Sequence, residues 1–238
     1  MLKISVLIPC FNEEKTIIQV LNAVNLQNIE NISFEIIVIN DGSSDNSLRL
    51  LQENSHLYSQ LVNLDKNLGK GGAVIEGLKV AQGDYVLFQD ADLEYDPNDY
   101  HLILKPILLQ EADIVFGSRN LAPQMTRVHY YWNKVGNRLI TFIFNILNNT
   151  TFSDIYSCYF LFKRNLVDPE ELRESGWAQQ AEILGLAIKR GSTFYEVPIS
   201  YFGRTHAEGK KIRAYHTLNV ILTIIRKALF VKKIKTKD

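Results

Sequence analysis

The chain reads as an α/β protein built on one mainly parallel sheet flanked by helices. Three observations carry that reading. Short apolar runs of strand length alternate with stretches of helical periodicity through the first half of the 238 residues. Those runs are apolar at successive positions, as strands buried on both faces of a parallel sheet must be. No repeat, low-complexity tract or linker rich in Pro, Gly and Ser divides the sequence.

Strands are predicted over residues 4–8, 34–39, 60–64, 85–88 and 114–117, with helices over 13–27, 45–53, 72–81 and 98–110 between them. This order implies right-handed crossovers. After Gly117 the rhythm loosens: a long amphipathic helix is expected over 130–147, a strand over 156–162, a helix over 179–189 and a strand over 193–199. A core domain over 1–212 is expected to carry a carboxyl-terminal amphipathic helix and basic tail over 213–238.

Lys+Arg and Asp+Glu are balanced at 26 each, so no global field favours nucleic acid. Cys10 and Cys158 are far apart in apolar surroundings and read as reduced core thiols, without zinc-ligand spacing. The amino terminus enters a strand pattern at once, with no basic region of the kind that opens a signal peptide. No apolar run reaches the roughly 18–20 residues a membrane span needs. The stretch 218–231 is broken by Arg226 and Lys227 and followed by basic residues. It fits either an interfacial helix drawn to anionic lipid or a core-packed helix with a solvated tail. A cytoplasmic protein is expected, peripheral on the cytoplasmic membrane face under the first of these readings.

Chemistry gathers where predicted strands end, since ligands of open α/β sheets bind at the carboxyl edge. The run 85–88 stops at Gln89-Asp90-Ala91-Asp92. Two carboxylates so placed repel unless a cation sits between them, and hard oxygen ligands suit Mg²⁺ or Mn²⁺ bridging a phosphate-bearing ligand. An acidic turn capping the next helix would look similar. Pro9-Cys10-Phe11-Asn12-Glu13 and Asn40-Asp41-Gly42-Ser43-Ser44-Asp45 end the first two strands and converge on the same edge. Asp41 there suits a nucleoside base or sugar, and equally a turn with an N-cap. Leu68-Gly69-Lys70-Gly71-Gly72 fits neither the Walker pattern, which needs Ser or Thr after Lys70, nor the dinucleotide fingerprint, since Val74 fills the third small position. Lys70 remains a candidate diphosphate contact. Arg119, Arg204, Lys210 and Lys211 are basic residues suited to a diphosphate leaving group, or to ordinary solvated surface. Asp154 and Glu182 are each suited to act as base or acceptor-orienting group, or to cap a helix or pair with a cation.

Taken in order, Ser5-Val6-Leu7-Ile8-Pro9-Cys10-Phe11-Asn12-Glu13, Glu35-Ile36-Ile37-Val38-Ile39-Asn40-Asp41-Gly42-Ser43-Ser44-Asp45 and Asp90-Ala91-Asp92-Leu93-Glu94-Tyr95-Asp96-Pro97 resemble family 2 glycosyltransferases of the GT-A fold. Gly117-Ser118-Arg119, Glu196-Val197-Pro198-Ile199 and residues 204–211 resemble the branch of dolichol-phosphate mannose and glucose synthases. The resemblance implies a nucleotide-sugar donor, with Pro9, Asn12, Glu13 and Asp41 lining the nucleoside pocket. It places Asp90 and Asp92 on the metal, Arg119 and Arg204 on phosphates, and Lys210 and Lys211 closing over them. Asp154 and Glu182 match acidic positions of the branch. The chain departs from the branch at Ser157-Cys158-Tyr159-Phe160 and Trp177-Ala178-Gln179-Gln180, both in the acceptor half.

The expected reaction is metal-dependent inverting transfer of a hexosyl group from a GDP- or UDP-sugar to a polyprenyl phosphate, with Asp92, Asp154 and Arg204 as catalytic candidates. A saccharide acceptor, a nucleotidyltransferase releasing pyrophosphate, and a non-catalytic sugar-nucleotide-binding subunit are the rivals.

Overall fold

The computed structural model describes residues 1–121, 131–203 and 216–230. Its strands are β1 (Leu2–Cys10), β2 (Ile32–Asn40), β3 (Gln60–Asn63), β4 (Tyr85–Phe88), β5 (Ile114–Ser118), β6 (Phe160–Lys163) and β7 (Phe194–Pro198). They form one seven-stranded sheet in the order β3-β2-β1-β4-β6-β5-β7. The helices are α1 (Ile17–Asn25), α2 (Ser47–Glu53), α3 (Gly69–Val80), α4 (Tyr100–Gln110), α5 (Tyr131–Asn148), α6 (Gln179–Arg190) and α7 (His216–Phe230).

The topology itself locates a crevice. From β1 the chain steps outward to β2 and β3, then returns to place β4 on the other side of β1. This reversal opens a gap at the carboxyl ends of β1 and β4, where open α/β sheets bind ligands. Register sets what faces it. Cys10 pairs with Asn40 and Leu7 with Phe88, so Pro9 runs level with Asp90 two residues past the last β1–β4 pair. The central strands are apolar throughout: Ile4, Val6, Leu7, Ile8, Val86, Leu87 and Phe88 are buried.

All strand pairs are parallel except those made by β6, which runs antiparallel to both β4 and β5. The predicted strand 156–162 starts late, at Phe160, because side chains claim the backbone before it. Gln180 Nε2 donates to the carbonyls of Ile155 and Ser157, and the Cys158 N–H donates to Tyr95 Oη at 3.0 Å. At the other end of the chain α1 begins at Ile17 rather than residue 13. The Glu13 N–H donates to Ser47 Oγ and the Glu14 N–H to Asp45, so the segment before the helix binds the β2–α2 loop instead of coiling.

α3 begins three residues earlier than expected, and glycine is the reason. The N–H groups of Gly71 and Gly72 both donate to the Ser175 carbonyl. A Cβ on Gly71 would stand 2.3 Å from the Glu174 carbonyl oxygen, so only glycine lets these backbones meet.

α7 packs on α5 and α6 and buries Val220, Thr223, Ile224 and Lys227. Its opposite face leaves Leu218, Leu222 and Leu229 exposed, and α5 likewise exposes Trp132, Leu139, Phe142 and Ile146. Among the described residues no helix is long and apolar enough to cross a membrane.

Candidate active site

A cleft of about 380 Å³ lies at the crevice between β1 and β4. Pro9, Cys10, Phe11 and Glu13 come from the end of β1, Asp41 from the end of β2, and Asp90, Ala91, Asp92 and Glu94 from the end of β4. Asn67, Gly69 and Lys70 enter with the amino end of α3, Gly176 and Trp177 with the segment before α6, and Tyr201 with the segment after β7. The volume suits a nucleotide-sized ligand.

The first two strand-end loops are zipped together. Asn12, in the left-handed region at φ 55°, accepts the Ser44 N–H on Oδ1 at 2.8 Å and donates its own N–H to Ser43 Oγ. Asn12 therefore shapes the cleft without lining it. Asp41 is buried; its Oδ1 accepts the Leu68 N–H at 2.7 Å and so joins the β2 end to the loop before α3. Burial raises the Asp41 carboxyl above the ordinary range, with backbone N–H donors at Leu68 and Gly69 pulling the other way.

At the end of β4, Gln89 is fully buried and accepts the hydroxyls of Tyr100 and Tyr159 on Oε1, each at 2.9 Å. Its Nε2 donates to the Asp90 carbonyl, which fixes the backbone of the acidic turn. Asp90 is ion-paired with Lys70. Desolvation lowers the Lys70 pKa, but the charge and hydrogen bond of Asp90, together with Cys158 and Asp92, outweigh it and hold the ammonium above its usual range. Lys70 Nζ also lies 5.9 Å from the ring centre of Trp177. Asp92 is partly exposed and accepts the Glu94 N–H on Oδ1 at 3.1 Å.

Five carboxylates line this cleft, from Glu13, Asp41, Asp90, Asp92 and Glu94, and Lys70 is the cation among its described lining residues. Among the described lining residues the carboxylates outnumber the ammonium, so a diphosphate set against them calls for an added cation. Asp90 and Asp92 offer hard oxygen ligands at one turn. Among the described residues no three His, Cys, Asp or Glu side chains converge to form a closed cage. The donor set therefore fits an ion such as Mg²⁺ that takes one or two carboxylates and completes its shell with phosphate oxygens and water.

Arg119, Asp154 and Glu182 stand outside the cleft wall. Arg119, at the end of β5, makes a two-pronged pair with Asp154: Nε to Oδ2 at 2.7 Å and Nη2 to Oδ1 at 2.9 Å. Burial opposes the guanidinium charge, but Asp154 offsets it and keeps Arg119 firmly cationic. Arg119 also stacks on Tyr201 at 5.0 Å, which brings it to the back of the cleft. Glu196 of β7 accepts the N–H groups of Ser153 and Asp154 and so positions the loop that carries Asp154. Both Asp154 oxygens thus accept hydrogen bonds from Arg119. Glu182 is fully buried, 2.8 Å from Lys227 Nζ. The approach is outside hydrogen-bond angles, so the contact is a charge pair. The other Glu182 oxygen accepts the N–H groups of Arg173 and Glu174. It braces α7 and the segment before α6, away from the cleft wall. Arg204, Lys210 and Lys211 lie outside the described residues.

Sequence reasoning passed over Glu94, Tyr201 and Trp177 as site residues. Glu94 carried a signal, two positions beyond Asp92. Tyr201 follows the Glu196-Val197-Pro198-Ile199 motif, and its hydroxyl donates to Glu94 Oε2 at 2.8 Å. Trp177 stands where the aromatic pattern of the branch is altered. Cys10 and Cys158 are free and buried, and burial pushes the Cys10 thiol up to about 12, so neither is a ready nucleophile.

Comparison with known proteins agrees with this geometry. The chain is 30% identical over 215 residues to a UDP-N-acetylglucosamine–dolichyl-phosphate N-acetylglucosaminyltransferase of Methanococcus voltae, covering 82% of this chain and 84% of that protein. It is 27% identical to a dolichyl-phosphate beta-glucosyltransferase of Trichomonas vaginalis, over 95% of this chain and 73% of that one. Glucosyl-3-phosphoglycerate synthase of Mycobacterium tuberculosis, solved with Mn²⁺, uridine diphosphate and phosphoglyceric acid, superposes with a TM-score of 0.69. That match covers 96% of this chain and 79% of the solved one at 18% identity, and it establishes the GT-A fold. The family model described as glycosyl transferase family 2 matches residues 5–169, so the chain belongs to that family and is a glycosyltransferase.

Proposed function

We propose that this glycosyltransferase moves a hexosyl group from a nucleotide diphosphate sugar to a polyprenyl phosphate, with inversion at the anomeric carbon. The observation that carries the donor half is the acidic cleft, in which Asp90 and Asp92 face a single described ammonium. Asp90 and Asp92 would hold Mg²⁺ or Mn²⁺, which when bound neutralises the diphosphate and the charge it gains on leaving. The presence of Mn²⁺ with uridine diphosphate in a neighbour of the same fold supports this assignment. Asp41, Pro9 and the Asn12-braced loop receive the nucleoside, and Lys70 adds charge at the diphosphate. Arg204, Lys210 and Lys211 extend the same role from beyond the described residues.

On the acceptor side, the dolichyl-phosphate transferases among the relatives support a lipid phosphate. A phosphate oxygen is anionic near neutral pH and attacks the anomeric carbon as the bond to the diphosphate breaks, so no side chain must remove a proton. The engagement of both Asp154 oxygens by Arg119 agrees with a reaction that asks no base of Asp154. Asp154 and Glu196 instead position Arg119 behind Tyr201.

A lipid acceptor must be met at a membrane surface, and α5 and α7 supply a face for it. Trp132, Leu139, Phe142 and Ile146 repeat at helical spacing on α5, as do Leu218, Leu222 and Leu229 on α7, all exposed. Exposed Lys134 and Arg138 add positive charge for anionic headgroups. Phe142→Glu combined with Leu222→Glu should reduce co-flotation with anionic vesicles while leaving the thermal unfolding midpoint unchanged. Undiminished flotation of that variant would refute this membrane face.

The reaction is tested with radiolabelled UDP- and GDP-sugars, Mn²⁺ and a short polyprenyl phosphate, by counting label in the organic phase. Label from one donor, abolished by chelator, is the expected result. Metal-dependent release of the nucleoside diphosphate without lipid label would overturn the acceptor and point to a saccharide. Release of pyrophosphate would overturn the transfer itself.

A further inference from the structure

Lys70 holds Asp90 in the place where the reading above puts a divalent cation. Its ammonium is paired with Asp90, its backbone is pinned in the first turn of α3, and its side chain lies beneath Trp177. The pinning is tight: the N–H of the next residue, Gly71, donates to the Ser175 carbonyl at 2.8 Å, and a Cβ there would collide with Glu174. The backbone of Lys70 therefore stays where it is, while its four-carbon stem can swing within the cleft.

Two cations cannot share Asp90 at close range without repulsion. A divalent ion arriving alone between Asp90 and Asp92 must displace the ammonium that is paired with Asp90. A diphosphate changes that balance, because it brings several anionic oxygens into the same cleft. We propose that Lys70 is a resident counter-cation which competes with the divalent ion for Asp90 and passes to the diphosphate when nucleotide binds. Ion and nucleotide then bind as a coupled pair rather than independently. The face of Trp177 gives the ammonium a favourable path between the two positions. This inference rests on the assignment of Asp90 and Asp92 to the metal, and the two fail in distinguishable ways.

The test is Mn²⁺ binding, followed by the electron paramagnetic resonance signal of the free ion, with and without UDP and GDP. Lys70→Met should bind Mn²⁺ alone about tenfold or more tightly than the natural chain, as expected when a charge competing at a carboxylate is removed. The tightening of Mn²⁺ binding by nucleotide should shrink by a similar factor, since coupling between two ligands is reciprocal. Lys70→Gln should behave like Lys70→Met, and Lys70→Arg, which keeps the charge, should stay close to the natural chain. A purely structural Lys70 would instead lose Mn²⁺ affinity in both conditions. Unchanged or weaker binding of Mn²⁺ alone by both neutral variants overturns the proposal. Unchanged Mn²⁺ binding by Asp92→Asn overturns the metal assignment beneath it.

Discussion

Asp92→Asn should lower kcat by a factor on the order of a thousand while leaving the fold intact. Stabilisation of a leaving diphosphate by a held cation is worth several kcal/mol, and each ~1.4 kcal/mol is a factor of ten in rate. Asn is nearly isosteric with Asp, and its carbonyl oxygen can still accept the Glu94 N–H that Asp92 accepts at 3.1 Å. Asp92 is also partly exposed, so the substitution leaves no buried group stranded. Steady-state transfer measured beside a thermal unfolding curve separates the two effects. Turnover at the natural level, or activity that persists in excess chelator, would exclude Asp92 as a ligand. A lowered unfolding midpoint with proportionate activity would make its role structural.

Lys227→Met should produce the largest loss of stability. Glu182 has no exposed side-chain surface and Lys227 only 11%, so their charges meet where water cannot screen them. Removing one partner of such a pair typically costs about 3–5 kcal/mol, because the remaining charge stays buried and unpaired. The backbone N–H groups of Arg173 and Glu174 still reach Glu182, which argues for the lower end. In a chain of this size about 3 kcal/mol corresponds to roughly 6–12 °C in the midpoint. Adding Glu182→Gln to Lys227→Met should restore much of the loss, since replacing both charges is far less harmful than orphaning one. A catalytic Glu182 would behave otherwise: the single Glu182→Gln variant would lose turnover with its midpoint unchanged.

The first half of the fold was legible because local pattern and tertiary role agree there. The predicted strand 85–88 coincides with β4, and its two aspartates fall in the cleft because a parallel strand delivers whatever follows it to the ligand edge. The second half was less legible because side chains there take over the work of backbone pairing. Nothing in Ile155-Tyr156-Ser157-Cys158 announces that Tyr95 will take the Cys158 N–H and Gln180 the Ile155 and Ser157 carbonyls, so the apolar pattern predicts a longer strand than forms. The same limit applies to the site. Asp90 and Asp92 share one short segment and could be seen together. Asp154 and Arg119 are 35 residues apart, and that each takes up the other is a fact of packing alone. Glu182 likewise looked available on a helix face until α7 brought Lys227 to it.

The Glu174 side chain is held from α7 by Asn219, Thr223 and Arg226, at 3.2, 3.1 and 2.7 Å. The next residue, Ser175, carries the carbonyl that anchors the first turn of α3, and Gly176 and Trp177 form cleft wall. A shortened protein lacking α7 would therefore lose a buttress of its cleft wall together with one of the two helices that form its apolar outer face. Inactivity of such a truncation would not distinguish loss of the apolar face from collapse of the cleft. Point changes confined to the outward residues of α7 would, because they leave Glu174 gripped.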